Sequence, residues 1–315
     1  MQISEVHPRN KSKAKQRVNS VVELIGNTPL LKLSNITKDL SPDVEVYVKA
    51  EWFNPGGSIK DRPARKMVLE GIKSGELTKD KILMDSSSGN TAIAYAMIGA
   101  ALQYKVELVT PLNINIERKK ALEAYGAKII YSDPLEGSDG AIRLAHKLKN
   151  ENPDKYFMPD QYNNINNPLS HYETTAPEIW EQTGGKVTHF LAGLGTSGTF
   201  MGASRKLKEL NGEIYTIAIQ PAESLHGLEG MKHMPTSIVP GIYDSTFPDE
   251  IKFVSTEDSY NIMKRLMDEE GLFIGHSGGA SVFAALECAK SLNEGVIVTI
   301  LPDAGYRYLS GELWW

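Results

Sequence analysis

Lys60 stands in the turn Asn54-Pro55-Gly56-Gly57-Ser58-Ile59-Lys60-Asp61-Arg62-Pro63, where an amine could act as a nucleophile. Pro-Gly-Gly punctuates regular structure, and Pro63 is tolerated in the first turn of a helix. The apolar spacing of Ala64, Met67, Val68 and Ile72 predicts that helix. Lys60 therefore sits at a helix start rather than on a helix face. A lysine desolvated there has a lowered pKa and can attack a carbonyl carbon. A solvated surface lysine is the plain alternative.

Two further loops could hold anions. Asp85-Ser86-Ser87-Ser88-Gly89-Asn90-Thr91 follows a strand pattern and precedes an alanine-rich helix at 92–102. Unpaired N–H groups at a helix start, with hydroxyls beside them, suit a substrate carboxylate. Ordinary N-capping by Ser88 or Thr91 is the alternative. Gly193-Leu194-Gly195-Thr196-Ser197-Gly198-Thr199 matches the Gly-x-Gly-x-x-Gly pattern between a strand at 188–192 and a helix at 200–210. A dinucleotide site would need an acidic residue about 20 positions on. The next strand instead ends in Gln220-Pro221, and three hydroxyls crowd the loop. That favours a single phosphate group. A lysine turn, a carboxylate cup and a phosphate cup together suggest pyridoxal phosphate.

The elements that must position these loops alternate. Strand-like runs at 44–49, 82–85, 105–110, 128–132, 188–192, 214–220 and 296–301 are separated by helical stretches at 63–74, 92–102, 116–125, 140–150 and 200–210. Such alternation with short connections predicts an α/β fold with mainly parallel sheets. The best seam is the Asn-rich stretch at 159–168, which implies two α/β domains with the site in the cleft between them.

Composition narrows the classes. The hydrophobic fraction is 41% and the formal net charge −5, so a soluble globular chain without a basic nucleic-acid footprint is expected. The one basic cluster, Arg9, Lys11, Lys13, Lys15 and Arg17, reads as a solvated terminus or a docking arm for an acidic partner. The single cysteine, Cys288, lies in the apolar run 280–289 and reads as a core residue in a reducing compartment. No secretory signal and no run of roughly 18 apolar residues is seen, so a cytoplasmic protein is expected. The seven histidines show no metal-binding spacing, and no metal is expected.

With these loops in view, the sequence resembles the cysteine synthases (O-acetylserine sulfhydrylases), which are fold type II pyridoxal-phosphate enzymes like the tryptophan synthase β chain. Carrying the resemblance are Leu24-Ile25-Gly26-Asn27-Thr28-Pro29-Leu30, Ser58-Ile59-Lys60-Asp61-Arg62, Ser88-Gly89-Asn90-Thr91, Ile116-Glu117-Arg118, Gly195-Thr196-Ser197-Gly198-Thr199 and Gly275-His276-Ser277-Gly278-Gly279-Ala280, in the family's order. It implies that Lys60 forms the Schiff base with the cofactor and serves as general base. Asn90 would meet the cofactor's ring oxygen, Gly195, Thr196, Ser197, Gly198 and Thr199 its phosphate, and Ser277 its pyridine nitrogen. Ser87, Ser88, Gly89, Asn90, Thr91 and Gln161 would hold the substrate carboxylate. It also implies a smaller, mobile domain at 47–162 and a larger phosphate-binding domain formed by 1–46 plus 163–315. The activity implied is β-replacement. Cysteine would form from O-acetylserine or another activated serine and a sulfur donor, through an enzyme-bound aminoacrylate. Because Ser277 is neutral, it cannot keep the pyridine nitrogen protonated as an aspartate could, and a weaker electron sink favours elimination of a good leaving group. A homodimer is expected, with a sulfur-carrier protein as a candidate partner. A cysteine lyase, a β-replacement enzyme using a different nucleophile and a non-catalytic binding protein are the alternatives.

The chain also departs from the family. Asp85-Ser86-Ser87 stands where Glu-Pro-Thr is usual. The Gly56-Gly57-Ser58 turn also resembles cystathionine β-synthases and diaminopropionate-forming enzymes. The stretches 230–235 and 239–243 resemble the B-type cysteine synthases, in which basic residues accommodate larger donors; Lys232 and His233 are the local candidates, with a solvated loop as the alternative. Phosphoserine-using relatives carry an arginine soon after the position of Gln220-Pro221, where this chain has Ala222 and Glu223. Trp314-Trp315 at the end is expected to pack, either on a surface groove or dimer partner or at the cleft mouth.

Overall fold

The structure is a computed structural model that describes residues 17–309. The basic tail before Arg17 and the terminal stretch with Trp314 and Trp315 lie outside the described residues. The strands are β1 (Leu30–Lys32), β2 (Asp43–Ala50), β3 (Ile82–Ser86), β4 (Lys105–Pro111), β5 (Lys128–Ser132), β6 (Tyr156–Phe157), β7 (His189–Gly193), β8 (Tyr215–Pro221), β9 (Glu250–Val254) and β10 (Glu294–Leu301). The helices are α1 (Asp61–Lys73), α2 (Asn90–Leu102), α3 (Ile116–Ala124), α4 (Gly137–Glu151), α5 (Asn166–Ser170), α6 (Ala176–Gln182), α7 (Gly198–Leu210), α8 (Thr256–Glu270) and α9 (His276–Ala289). A π-helical turn, His171–Thr175, joins α5 to α6.

Among the described residues the strands form two sheets, ordered β1-β2-β10-β7-β8-β9 and β5-β4-β3-β6. All pairs are parallel except β1 with β2. Both faces of the larger sheet are buried, and the period-2 alternation of its strands shows how. Leu191, Ile217, Ile219 and Ile297 point to the core with α8 and α9. Their neighbours Phe190, Ala192, Ala218 and Val298 point to the core with α6 and α7. The smaller sheet does the same, with Leu83 facing α1 and α2 while Met84 faces α4. The expected boundary at 46/47 falls inside β2, all eight of whose residues pair with β10 from Asp43↔Glu294 to Ala50↔Leu301. β2 therefore belongs whole to the larger sheet. Cys288 is buried, in the core that α9 shares with that sheet. No helix among the described residues is long and apolar enough to cross a membrane.

Beneath the Lys60 turn lies a network of buried charges. Arg62 donates through Nε and Nη2 to Glu51 (2.8 Å each) and through Nη1 and Nη2 to Glu178 (2.7 and 2.8 Å). Lys49 Nζ approaches Glu178 at 2.7 Å and also donates to Thr28 O. Two cations and two carboxylates thus share one site and tie α1 and α6 to the end of β2.

Candidate active site

The Lys60 turn is fixed from outside. Gly57, at φ 78°, donates to Asn54 O (2.7 Å), and a Cβ there would lie 2.5 Å from Arg307 Nη2. Arg307 itself donates to Gly56 O. Ser58 forms an isolated antiparallel bridge with Asp303, and Ile59 N donates to Pro302 O (2.9 Å). Asp61 accepts from Gly56 N, and burial pushes its carboxyl up to about 7. Lys60 is left half-buried at the N-cap of α1. Burial lowers the pKa of its amine, and the negative charge of Asp303 acts the other way. The neutral, nucleophilic form is therefore easier to reach than in a surface lysine.

The second loop follows β3 and opens α2. Ser87 performs the capping expected of Ser88 or Thr91: its Oγ accepts from Gly89 N (3.3 Å) and Ala92 N (3.2 Å). Thr91 instead donates to Gln161 Oε1 (2.9 Å), and Gln161 Nε2 donates to Ser86 O (2.9 Å). Asp85 braces this cup from behind. It accepts from Ser86 N (2.8 Å), Tyr95 Oη (3.0 Å) and Gln161 N (3.3 Å), and burial raises its carboxyl to about 7. The Asp85 carboxyl thus holds the backbone of Gln161 in place. Ser88, Gly89, Asn90, Thr91, Gln161 and Lys60 line an outer chamber of about 210 Å³. A space of that size takes a small organic molecule.

The third loop joins β7 to α7. A Cβ on Gly195 would lie 2.3 Å from Gly230 O, and one on Gly198 would lie 1.9 Å from Asn167 Oδ1, so both positions exclude a side chain. Asn167 Nδ2 donates to Thr196 Oγ1 (3.0 Å), and Thr199 Oγ1 lies 3.3 Å from His171 Nε2. Ser197 holds a left-handed backbone at φ 67°, a strained conformation for a residue with a side chain. Its buried Oγ has no hydrogen-bond partner among the described residues. At the end of β8, Gln220 Oε1 accepts from Met234 N (3.0 Å), so the position where a dinucleotide fold keeps its acid holds a structural amide. An inner chamber lies behind the outer one, with Thr199, Ser277 and Ser281 in its wall. Lys60, Asn90 and Gly195 line both.

A half-buried turn lysine lining two chambers, with a glycine cradle at a helix start, is a layout that suits a phosphate-bearing carbonyl cofactor. Residues 21–303 match the family described as pyridoxal-phosphate dependent enzyme. The chain belongs to that family.

Other pyridoxal-phosphate enzymes resemble it along nearly its whole length. The cysteine synthase of Aquifex aeolicus is 48% identical over 299 residues, which cover 93% of this chain and 91% of that protein. Cysteine synthase B of Escherichia coli is 41% identical, covering 93% of this chain and 95% of its own. The crystal structure of cysteine synthase from Entamoeba histolytica superposes with a TM-score of 0.92 at 37% identity, covering 100% of this chain and 94% of the other. The fold is accordingly that of a fold type II pyridoxal-phosphate enzyme. The residues present fit the cofactor: the cradle excludes side chains at Gly195 and Gly198, and Ser197 Oγ and Asn90 Oδ1 are buried without a partner among the described residues.

Sequence reasoning gave no binding role to Arg118, Glu229 and Asp139, charged residues of this pyridoxal-phosphate enzyme that gather with Lys232 around the outer chamber. Arg118 of α3 pairs with Glu229 and lies 5.3 Å from the centroid of the Tyr308 ring. Lys232 pairs with Asp139 of α4 (3.2 Å) and sits 5.2 Å over the Tyr162 ring. Both pairs cross from helices of the smaller sheet to the stretch after β8. His233 does not line the chamber; its Nδ1 lies 2.8 Å from Thr236 Oγ1. Only Lys232 of the two basic candidates faces the site, and its charge is already engaged.

Proposed function

We propose that this chain makes L-cysteine, replacing the leaving group of an activated serine, O-acetylserine in the first place, with sulfur from a donor. The observation that carries this is Lys60, which lines both chambers with Ser277 on the inner side and the Ser88–Thr91 loop on the outer. Pyridoxal phosphate, when bound, supplies an aldehyde carbon open to amines and a conjugated ring that takes up electron density from the substrate Cα. Residues 195–199 would hold its phosphate, Asn90 its ring oxygen, Ser277 its pyridine nitrogen and Lys60 its aldehyde carbon. The first-turn N–H groups of α2, the Ser88 hydroxyl and the second Nε2 hydrogen of Gln161 bind the substrate carboxylate, with the Thr91 hydroxyl orienting the Gln161 amide. Lys60 Nζ, when free of the cofactor, takes the Cα proton as general base and later returns it. Its lowered pKa keeps the neutral amine within reach. Acetate leaves Cβ and sulfur takes its place. The unit built on the smaller sheet closes over the substrate, and the Arg118–Glu229 and Lys232–Asp139 pairs span the two halves. A homodimer in the cytoplasm, with a sulfur-carrier protein as a donor besides sulfide, completes the proposal; sedimentation checks the first part.

Purified protein offered O-acetylserine with sulfide, thiosulfate or a thiol tests it, with cysteine as the product measured. Sulfide release from cysteine without cysteine synthesis would replace this activity with a lyase. O-acetylserine is expected to outcompete O-phosphoserine by about tenfold or more in kcat/KM, since a phosphate dianion in a closed cleft needs a free cation. Arg118 and Lys232, the chamber's other cations, are each paired with a carboxylate. A higher efficiency with phosphoserine refutes this preference.

Ser277→Ala is expected to fold normally and slow turnover by roughly five- to tenfold, since one neutral hydrogen bond of about 1 kcal/mol is removed. The fold is spared because the contact Ser277 makes within α9, accepting from Ser281 Oγ (2.9 Å), uses its backbone carbonyl. Unchanged turnover in this variant would remove Ser277 from the chemistry.

A further inference from the structure

Taking Lys60, Asn90 and residues 195–199 as the cofactor site proposed above, we propose that Asp303 is a positioning residue that sets which face of the Asn90 amide meets the cofactor and ties that amide to the Lys60 turn. Asp303 follows Pro302 at the carboxyl end of β10 and is 1% exposed. Its backbone touches two segments of the site. It bridges Ser58, two residues before Lys60, and its carbonyl accepts from Gly275 N (3.2 Å), two residues before Ser277. Gly275 gives it room, because a Cβ there would lie 2.0 Å from Asp303 Oδ1. The side chain reaches a third segment: Oδ2 accepts from Asn90 Nδ2 (2.6 Å) and from Tyr308 Oη.

The orientation follows from what a carboxyl oxygen can do. Burial raises the Asp303 carboxyl, while the Tyr308 and Asn90 bonds and the charges of Arg307 and Arg118 lower it. If a proton is present it belongs on Oδ1, which has no partner among the described residues. Oδ2, already taking two donors, is an acceptor in either state. The Asn90 amide must therefore turn its nitrogen to Asp303. Its Oδ1, buried and without a partner among the described residues, and the second Nδ2 hydrogen are left for the ligand. Asn90 lines both chambers, so a flipped amide would exchange acceptor for donor beside the cofactor ring.

Asp303→Asn tests this in the holoenzyme, since an amide at 303 pairs with Asn90 in either orientation while the volume is kept. The absorption or emission maximum of bound pyridoxal phosphate is expected to shift and its Kd to rise about tenfold, as for loss of one charge-assisted bond. The unfolding midpoint of the cofactor-free chain should move by only a few degrees. Asn90→Ala should shift the spectrum too, and adding Asp303→Asn to it should give much less than a full additional shift, because Asp303 acts chiefly through Asn90 and otherwise only through its charge near Lys60. A wild-type spectrum and Kd in Asp303→Asn, or a full additional shift in the double variant, overturns the proposal. Should Asp303→Asn fail to fold, the side-chain amide of Asn90 in 15N-asparagine-labelled wild-type holoenzyme decides, assigned by its loss in Asn90→Ala. One exchange-protected proton is expected, and two freely exchanging protons overturn it. Failure of the cofactor site itself looks different: the wild-type chain would then bind no pyridoxal phosphate.

Discussion

Lys60→Ala yields a folded protein that forms no covalent link to pyridoxal phosphate and loses roughly 10⁴-fold or more in turnover, the scale of a lost nucleophile and general base combined. The fold survives because the turn is held by other groups: the Ser58–Asp303 bridge, the Ile59–Pro302 hydrogen bond and the Arg307 contact to Gly56 O. None of these uses the Lys60 side chain. Absence of the visible absorption band, and of a mass adduct after borohydride reduction, checks the loss of the link. Normal turnover in this variant would dismantle the mechanism. The wild-type amine is expected to lose its proton below the pH of an ordinary lysine, since burial lowers its pKa.

Arg62→Ala is expected to be the most destabilising single change beside the site, on the order of 3–5 kcal/mol, because it strands buried carboxylates. That corresponds to a fall in Tm of roughly 5–8 °C for a chain of this size. The Arg62 side chain is 1% exposed, and its partners Glu51 and Glu178 are 0% and 14% exposed. Burial opposes the charge on Glu178, yet Arg62 and Lys49 outweigh it and hold the carboxyl at about 2. A carboxyl depressed below its ordinary 4.5 stabilises the fold at neutral pH and loses that contribution as pH falls toward 2. Without Arg62 the stranded carboxylates take up protons readily. The penalty should therefore be largest near neutrality and shrink below about pH 4.5. Chemical denaturation across that range measures it; a penalty independent of pH would show that lost packing, and not charge, is the cause.

The parts of the site legible in the sequence are those in which one short segment carries its own signals. The Lys60 turn announces itself by Pro-Gly-Gly and Pro63, and the loops at 85–91 and 193–199 by strand, turn and helix in succession. The structure brings all three to the same pair of chambers. The α/β architecture was legible for the same reason, since buried parallel strands and their helices each leave a local pattern. The boundary at 46/47 was not, because the membership of β2 is decided by β10, some 250 residues away. Arg118, Glu229, Asp139 and Asp303 were also invisible in these roles. Each is a lone charge in sequence, and a lone charge reads as solvated until its partner is found. For Asp303 one signal existed: it stands just past Pro302 at the carboxyl end of a strand, where open parallel sheets bind ligands. His233 looked as good as Lys232 beside it, and only the direction of the local chain separates them.

The pairing of β2 with β10 has a consequence for how the chain is made. The strands and helices of the smaller sheet lie within 61–157, and their contacts can form once that stretch has left the ribosome. β2, synthesised before it, is flanked in the finished sheet by β1 and by β10, which emerges long after it. Until β10 arrives, the backbone edge of β2 that pairs with it has no partner, and Val44, Val46 and Val48 on its face lack much of their core. Closing so long a loop is slow, and an unpaired strand edge invites association with other nascent chains. The Lys60 turn, clamped by Pro302 and Asp303, takes shape only once β10 and the residues just after it are in place. Chains cut short before residue 294 are thus expected to aggregate and to leave the lysine without its scaffold, so that the reactive amine is assembled only in chains that extend past Asp303.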